Sequence, residues 1–412
     1  MQETQLIPHL FRTEYSKITA VLGKLFGFRD IGVAEDIASD TFLAATETWG
    51  LKGLPENPTA WLYAVAKNKA RDHLRRVSLF EKKISGDLAR EKNWQETDID
   101  LSDQNIHDSQ LQMMFAICQP CISTEAQIGL SLRILCGFGI DEIADAFLTN
   151  KETINKRLYR AREKLREENT EITMPTAAGI RERLEAVLTT LYLLFNEGYY
   201  SAGSNIALRK DLCLEAMRLT HLLTENEQTA TSGVFSLLAL MCFHSSRFEA
   251  RLDQEGRMVP YEEQDTGLWN QELIQQGKYY MQKASQHNQL SPRYALEAAI
   301  AFCHTSREDT PQKWERILQF YNQLLRIEYS PIAALNRTYA LARANSPEEA
   351  IREAEKLQLN DHYLYHSLLG HLYTGIDNAK ACSYLERALQ LARSEGDKRN
   401  IADRITKLGQ KD

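Results

Sequence analysis

The chain has 412 residues, is 43% hydrophobic and 25% charged, and carries a formal net charge of −7. Its length suggests about two or three globular domains, and the weakly negative balance offers no overall field for nucleic acid, so any such role needs a local basic patch. No apolar run reaches membrane-spanning length, and the N-terminal MQETQLIPHLFRTEYSK lacks the two regions of a signal peptide, which argues against membrane-embedded and secreted classes and leads to the expectation of a cytoplasmic protein.

The seven scattered cysteines are an odd number and fit reduced thiols. Ten prolines and twenty glycines are few for this length, and an almost all-helical, all-α chain is expected. Residues 14–28, EYSKITAVLGKLFGF, and 33–49, VAEDIASDTFLAATETW, read as two helices. In the second, Ile37, Phe42 and Ala45 mark a buried face, with Glu35, Asp36, Asp40 and Glu47 mostly elsewhere. The turn-forming GLKGLPENP follows, then a third helix, TAWLYAVAKNKARDHLRR. Residues 67–83 hold Lys67, Lys69, Arg71, Arg75, Arg76, Lys82 and Lys83 against Asp72 and Glu81, with Trp61 and Tyr63 just ahead. Cations beside aromatic rings suit backbone phosphates and an unpaired base. Trp61 also reads as core.

From residue 84 the composition turns polar and acidic, and 84–112 is expected to be a flexible linker between a first module, 8–83, and a second, 113–170. Cys118 and Cys121 form a lone CQPC. A zinc site needs four ligands and no second close pair exists, so these are expected to be core thiols, with no metal or cofactor. Within GFGIDEIADAFLTNKETINKRLYRAREKLRE, a helix beginning near Gly139 or Ile140, a short turn and a second helix opening at Thr149 or Asn150 make a helix-turn-helix. Thr149 with Glu152 fits a capping box, and Asn150 alone also caps. Ile154, Leu158 and Ala161 form the buried stripe, leaving Lys151, Lys156, Arg157, Arg160, Arg162, Lys164 and Arg166 against Glu152 and Glu163.

Residues 178–412 read as successive amphipathic helices. In NEGYYSAG, Gly198 follows the apolar helix LEAVLTTLYLLF and is expected to stop it. Asn196, Glu197, Tyr199 and Tyr200 are then candidates for a contact between this extension and the preceding modules. No nucleophile–base pair or metal set lies nearby, and no catalysis is expected. The acids Asp253, Glu255, Glu262, Glu263 and Asp265 are mixed with arginines in a loop that could take a cation or dock on a basic partner. Between about 290 and 405, a shift of 34 residues aligns Asn336 with Gly370, Tyr339 with Tyr373 and Ala354 with Ala388, a tetratricopeptide-like period.

AEDIASDTFLAATETW with NPTAWLYAVAKNKARDHLRR resembles region two of sigma-70 family factors of the extracytoplasmic-function (ECF) type, and LRILCGFGIDEIADAFLTNKETINKRLYRAREKLR resembles their region four. The helical, repeat-bearing remainder is similar to the extension of one ECF subgroup. The resemblance implies core RNA polymerase and promoter DNA as partners, with a regulator acting through the extension. It implies that Glu35, Asp36, Asp40 and Phe42 meet the polymerase. Trp61, Asn68, Lys69, Arg71, Asp72, Arg75 and Arg76 would open and read the minus-ten element. Asn150, Lys151, Thr153, Asn155 and Lys156 would read the minus-thirty-five element, with Arg157 and Arg160 near phosphate. Two alternatives stand beside it: a helix-turn-helix regulator that never touches the polymerase, and a repeat scaffold that binds no DNA.

Overall fold

The computed structural model of the protein describes residues 3–85, 99–147, 149–200, 206–251, 253, 259, 261–287, 292–306, 308–392 and 395–409. The fold is all-α, and the described residues contain no strand. They divide into two compact units. The first is Met1–Gly198 with Leu214–Thr229, and the second is Tyr199–Cys213 with Ala230–Asp412.

In the first unit, α1 (Glu3–Phe26), α2 (Ile31–Lys52), α3 (Pro58–Ser85) and α4 (Asp103–Ile117) pack around Tyr15, Ile18, Leu22, Leu62 and Phe115, all fully buried. The short α5 (Thr124–Leu130) runs into a π-helical turn at Ser131–Leu135, followed by α6 (Ile140–Ala146) and α7 (Lys151–Glu167). Side chains close the helix starts where the sequence supplies them. Ser102, Ser123 and Asn150 accept from the backbone N–H three residues on, at Asn105, Ala126 and Thr153. The last two elements are α8 (Ala177–Tyr200) and α9 (Ile206–Thr224), each shared between the units. The Thr190 hydroxyl of α8 donates to the Gln127 side-chain Oε1 at 2.9 Å, while the Gln127 Nε2 donates to the Gln119 and Ile122 backbone carbonyls. Arg218 of α9 donates to the Leu135 carbonyl at 2.7 Å.

Two expectations change here. The stretch read as a linker, 84–112, contains the first ten residues of α4, and Ile99, Leu101, Ile106 and Leu111 are buried. Its polar composition hides a helix with only one apolar face; residues 86–98 lie outside the described ones. Nor does Gly198 stop α8, which continues to Tyr200. Gly198 is buried within the helix, where packing outweighs the intrinsic cost of about 1 kcal/mol for glycine. Glu197 lies in the same turn, and burial raises its carboxyl pKa. The side chain of Tyr200 falls outside the described residues.

The second unit is a succession of helices packed on their neighbours: α10 (Ser232–Ser245), α11 (Gln271–Ser285), α12 (Pro292–Cys303), α13 (Pro311–Ile327), α14 (Pro331–Ala344), α15 (Pro347–Leu357), α16 (Tyr363–Tyr373), α17 (Asn378–Leu391) and α18 (Glu395–Gly409). Ser232 to Phe243 of α10 are all buried, as a helix enclosed on every side requires. Thr310, Ser330 and Ser346 cap α13, α14 and α15, each with proline at the first helical position, where its missing N–H costs nothing.

The 34-residue shift holds for only part of the repeat. Ala354 and Ala388 are both fully buried, but Gly370 is buried where Asn336 is exposed. The helices themselves begin at Pro331 and Tyr363, then at Pro347 and Asn378, shifts of 32 and 31 residues. The helices differ too: α14 and α17 have 14 residues, α15 and α16 have 11. Glu262 and Asp265 of the acidic loop have protein partners. Glu262 accepts from the Tyr339 hydroxyl at 2.7 Å and from Arg343 at 3.2 Å, and Asp265 accepts from the Gly267 N–H at 2.8 Å. Glu255 lies outside the described residues.

Two close helix crossings set one prediction. A methyl at Gly277 would lie 2.5 Å from the buried Phe243 ring, and one at Gly370 would lie 2.6 Å from Leu385 Cγ and 3.2 Å from the Ala381 carbonyl. Gly277→Ala or Gly370→Ala should therefore cost about 1–3 kcal/mol from overpacking, against the roughly 1 kcal/mol that alanine gains in a helix. Thermal unfolding should show a lowered midpoint for each; an unchanged or raised midpoint would mean these crossings have room.

A second prediction concerns acid. His304 stands among Tyr261, Trp314 and Lys313, and burial, then Arg247 and Lys313, lower its pKa from 6.5 to about 3. His244 is pushed down by burial and by Arg247 and Arg251. A depressed histidine keeps its full stabilising effect above the unfolded value and loses it as protons bind the unfolded chain more readily. The second unit should weaken as pH falls from 6.5 towards 3, and His304→Gln should flatten that slope in urea titrations across the range. An equal slope in both proteins would remove His304 as a cause.

Candidate nucleic-acid interface

Helix α7 presents two faces. Ile154, Leu158, Ala161 and Leu165 turn inward, while Lys151, Thr153, Asn155, Lys156, Tyr159 and Arg160 are exposed. Asn150 is the cap, its side chain accepting from the Thr153 N–H at 2.8 Å, so the helix starts there and the Thr149–Glu152 box does not form. Glu152 instead holds Lys156 at 2.6 Å, and Lys151 reaches Asp141 of α6 at 2.5 Å. The Arg157 guanidinium lies over the Phe147 ring at 5.2 Å and is half-buried. Beside the helix lies a groove of about 530 Å³ lined by Thr153, Lys156, Arg157, Arg160 and Lys164 together with Cys121 and Ser123. A groove with four cations along one wall suits an anionic backbone. Cys118, behind it, is buried, and burial pushes its thiol up to about 12.

Helix α3 likewise turns Asn68, Arg71, Asp72, Arg75 and Arg76 to solvent as one face, while Leu62, Ala66, Ala70 and Leu74 are buried. Trp61 is half-buried and meets Trp49 edge-on at 5.3 Å, so one side of its ring serves the fold. Lys69 is held by Asp40 at 3.5 Å. Tyr63 donates to Glu14 at 2.6 Å, and its pKa is raised far by burial and then by that carboxylate. The side chains of Lys82 and Lys83 lie outside the described residues.

Of the four residues expected to meet a polymerase, Asp36 and Asp40 are exposed, but Glu35 and Phe42 are not. Phe42 packs edge-on against Phe11 at 5.0 Å. The Glu35 side chain is only 7% exposed, and one of its oxygens accepts from Arg133 Nε at 3.1 Å and from Arg162 Nη2 at 2.8 Å. Arg162 is thus drawn off the outward, basic face of α7 on which helical spacing places it. A second tie joins Arg12 of α1 to Glu142 of α6 at 2.9 Å, with the Arg12 guanidinium over Phe138. These ties fasten α1 and α2 to α6 and α7 inside the first unit.

Two exposed residues escaped the sequence reading. Leu43 is 59% exposed and stands in line with Asp36, Asp40 and Glu47 on α2; Tyr159 is 65% exposed, one turn beyond Asn155 on α7. The spacing that defines the buried stripes excludes both residues from them. That was the available signal.

Comparisons with known proteins place two family matches on the chain. Sigma-70 region 2 matches residues 10–79, which cover most of α1–α3. A family of unknown function (DUF6596) matches residues 183–285. The uncharacterized protein R00370 of Rhizobium meliloti (strain 1021) is 33% identical over 371 residues, spanning 89% of this chain and 87% of that protein. No solved structure matches the chain.

Proposed function

We propose, from the sigma-70 region 2 match over residues 10–79, that the chain is a sigma-70 family initiation factor of ECF type that brings core RNA polymerase to selected promoters, with residues beyond about 178 as a regulatory extension. The observation that carries this reading is the region 2 match on α1–α3, whose α3 bears the exposed basic face of Arg71, Arg75 and Arg76. In this reading Asp36, Asp40 and Leu43 form the polymerase-facing side of α2, and Asn68 to Arg76 meet the minus-ten element. The exposed start of α7, with Thr153, Asn155 and Lys156, enters the major groove at the minus-thirty-five element. Arg157 and Arg160 lie beside phosphate. Two basic helical modules in one chain match a factor that must hold two separated promoter elements.

Run-off transcription with core RNA polymerase and a library of promoter fragments tests this. The full chain is compared with one ending after Thr229; a cut nearer residue 172 would remove Thr190 and Arg218, which bond to the α4–α6 region. Transcripts from a selected subset of fragments are expected, with different yields from the two lengths. Equal yields would remove a regulatory role for the residues beyond 229. Silence from both with DNA binding intact would overturn the initiation reading in favour of a regulator that works without the polymerase.

A further inference from the structure

We propose that the second unit contains a binding site for a small oxyanion-bearing ligand, phosphate or carboxylate, formed by Arg247, Lys313 and Tyr261 where the turn after α10 meets the start of α13. Nothing in the promoter-binding reading uses these residues.

Arg247 follows the end of α10, and Lys313 lies in the first turn of α13; each residue is only 8% exposed. Both cations converge on one ring. The Arg247 guanidinium lies 5.5 Å and the Lys313 ammonium 5.1 Å from the centre of Tyr261. The Tyr261 hydroxyl accepts from Lys313 at 2.8 Å and donates to the His304 carbonyl at 3.3 Å, which fixes the ammonium in place. Lys313 also donates to the Ser306 carbonyl at 3.3 Å.

Among the described residues neither cation forms an ion pair with a carboxylate, and Arg247 Nε is sealed from solvent without an acceptor. Two described acids of the surrounding segments are taken by other groups: Glu262 and Asp309 are both held by Arg343, and Asp309 also accepts from Trp314 Nε1 at 2.5 Å. His304, whose Nδ1 is buried without a partner, stays neutral between the two cations and cannot compensate them. Burying charge without a counter-charge is costly, and folded proteins pair such groups. The quadrupole of one tyrosine ring offsets only part of two cations. What completes the arrangement is an anion from outside. A guanidinium offers paired N–H donors to two oxygens at once, and the ammonium adds a third. The aromatic surroundings, Tyr261, Trp269, Trp314 and His304, favour a compact ligand with a flat or apolar body.

The test uses the full chain with inorganic phosphate and with citrate, against sodium chloride at matched ionic strength, read by isothermal calorimetry and by the thermal midpoint. At least one oxyanion should bind and raise the midpoint where chloride does not. Phosphate alone would point to a phosphate-bearing ligand, citrate alone to a carboxylate, and both to a general oxyanion site. Arg247→Met and Lys313→Met should each weaken binding at least tenfold. Without oxyanion, Arg247→Met should be no less stable than the parent, because it removes an uncompensated charge. The proposal falls if neither oxyanion exceeds chloride, or if both variants keep the parent's response. Should Arg247→Met not fold, Lys313→Met and calorimetry on the parent decide it. None of these readouts involves transcription, so the proposal can fail while the promoter reading stands, and the reverse.

Discussion

Replacing Glu35 with alanine should loosen the first unit more than any other single charge removal in it. The carboxylate is nearly sealed, and one oxygen serves both Arg133 and Arg162, from segments 98 and 127 residues away. Removing one partner of a buried pair costs about 3–5 kcal/mol because the other charge stays buried and unpaired. Arg133 and Arg162 are roughly a quarter exposed, so water recovers part of that. The expected loss is about 2–3 kcal/mol. Because the chain has two units, a single unfolding midpoint would mix them. Hydrogen exchange of α2 and α7 amides reads the first unit directly. Protection there should fall by a factor of roughly 30 to 150, while α16 and α17 keep theirs. Arg162→Gln made in the Glu35→Ala background should then cost little, since the pair is already broken. If α2 protection stays at the parent's level, Glu35 is not a tie between these segments.

The second large effect concerns DNA. Arg160→Ala should weaken binding to every promoter fragment alike and lower the slope of log affinity against log salt by about one, the signature of one lost phosphate contact. Thr153, exposed at the start of α7, should behave differently. Thr153→Ala should leave the salt slope alone and change the preferred base at one position, with discrimination shifting by about 1–3 kcal/mol. Binding titrations at several salt concentrations on a randomised minus-thirty-five library separate the two. A uniform loss from both substitutions would remove the division between phosphate-gripping and base-reading residues. Lys156 is already held by Glu152, so its removal should matter less than that of Arg160.

Features set by neighbours a few residues apart are legible in the chain alone. The three-helix order of α1–α3, the helix pair α6 and α7, the inward stripe of Ile154, Leu158 and Ala161, and the Asn150 cap all follow from helical periodicity and from one side chain reaching its own backbone. The exposed basic face of α3 is legible for the same reason. Tertiary structure alone decided which charged residues are free. Glu35 sits beside Asp36 in an acidic helix, yet one is buried against two arginines and the other faces water, because their partners come from distant segments. Arg162 reads as one more cation on α7 until Glu35 takes it. Segment 103–112 looks like a linker until α1 covers its apolar side, and Gly198 looks like a stop until packing carries α8 past it. The approach of two cations to Tyr261 cannot be found in any local pattern. Arg247 and Lys313 lie 66 positions apart, and only the packing around α13 brings them to one ring.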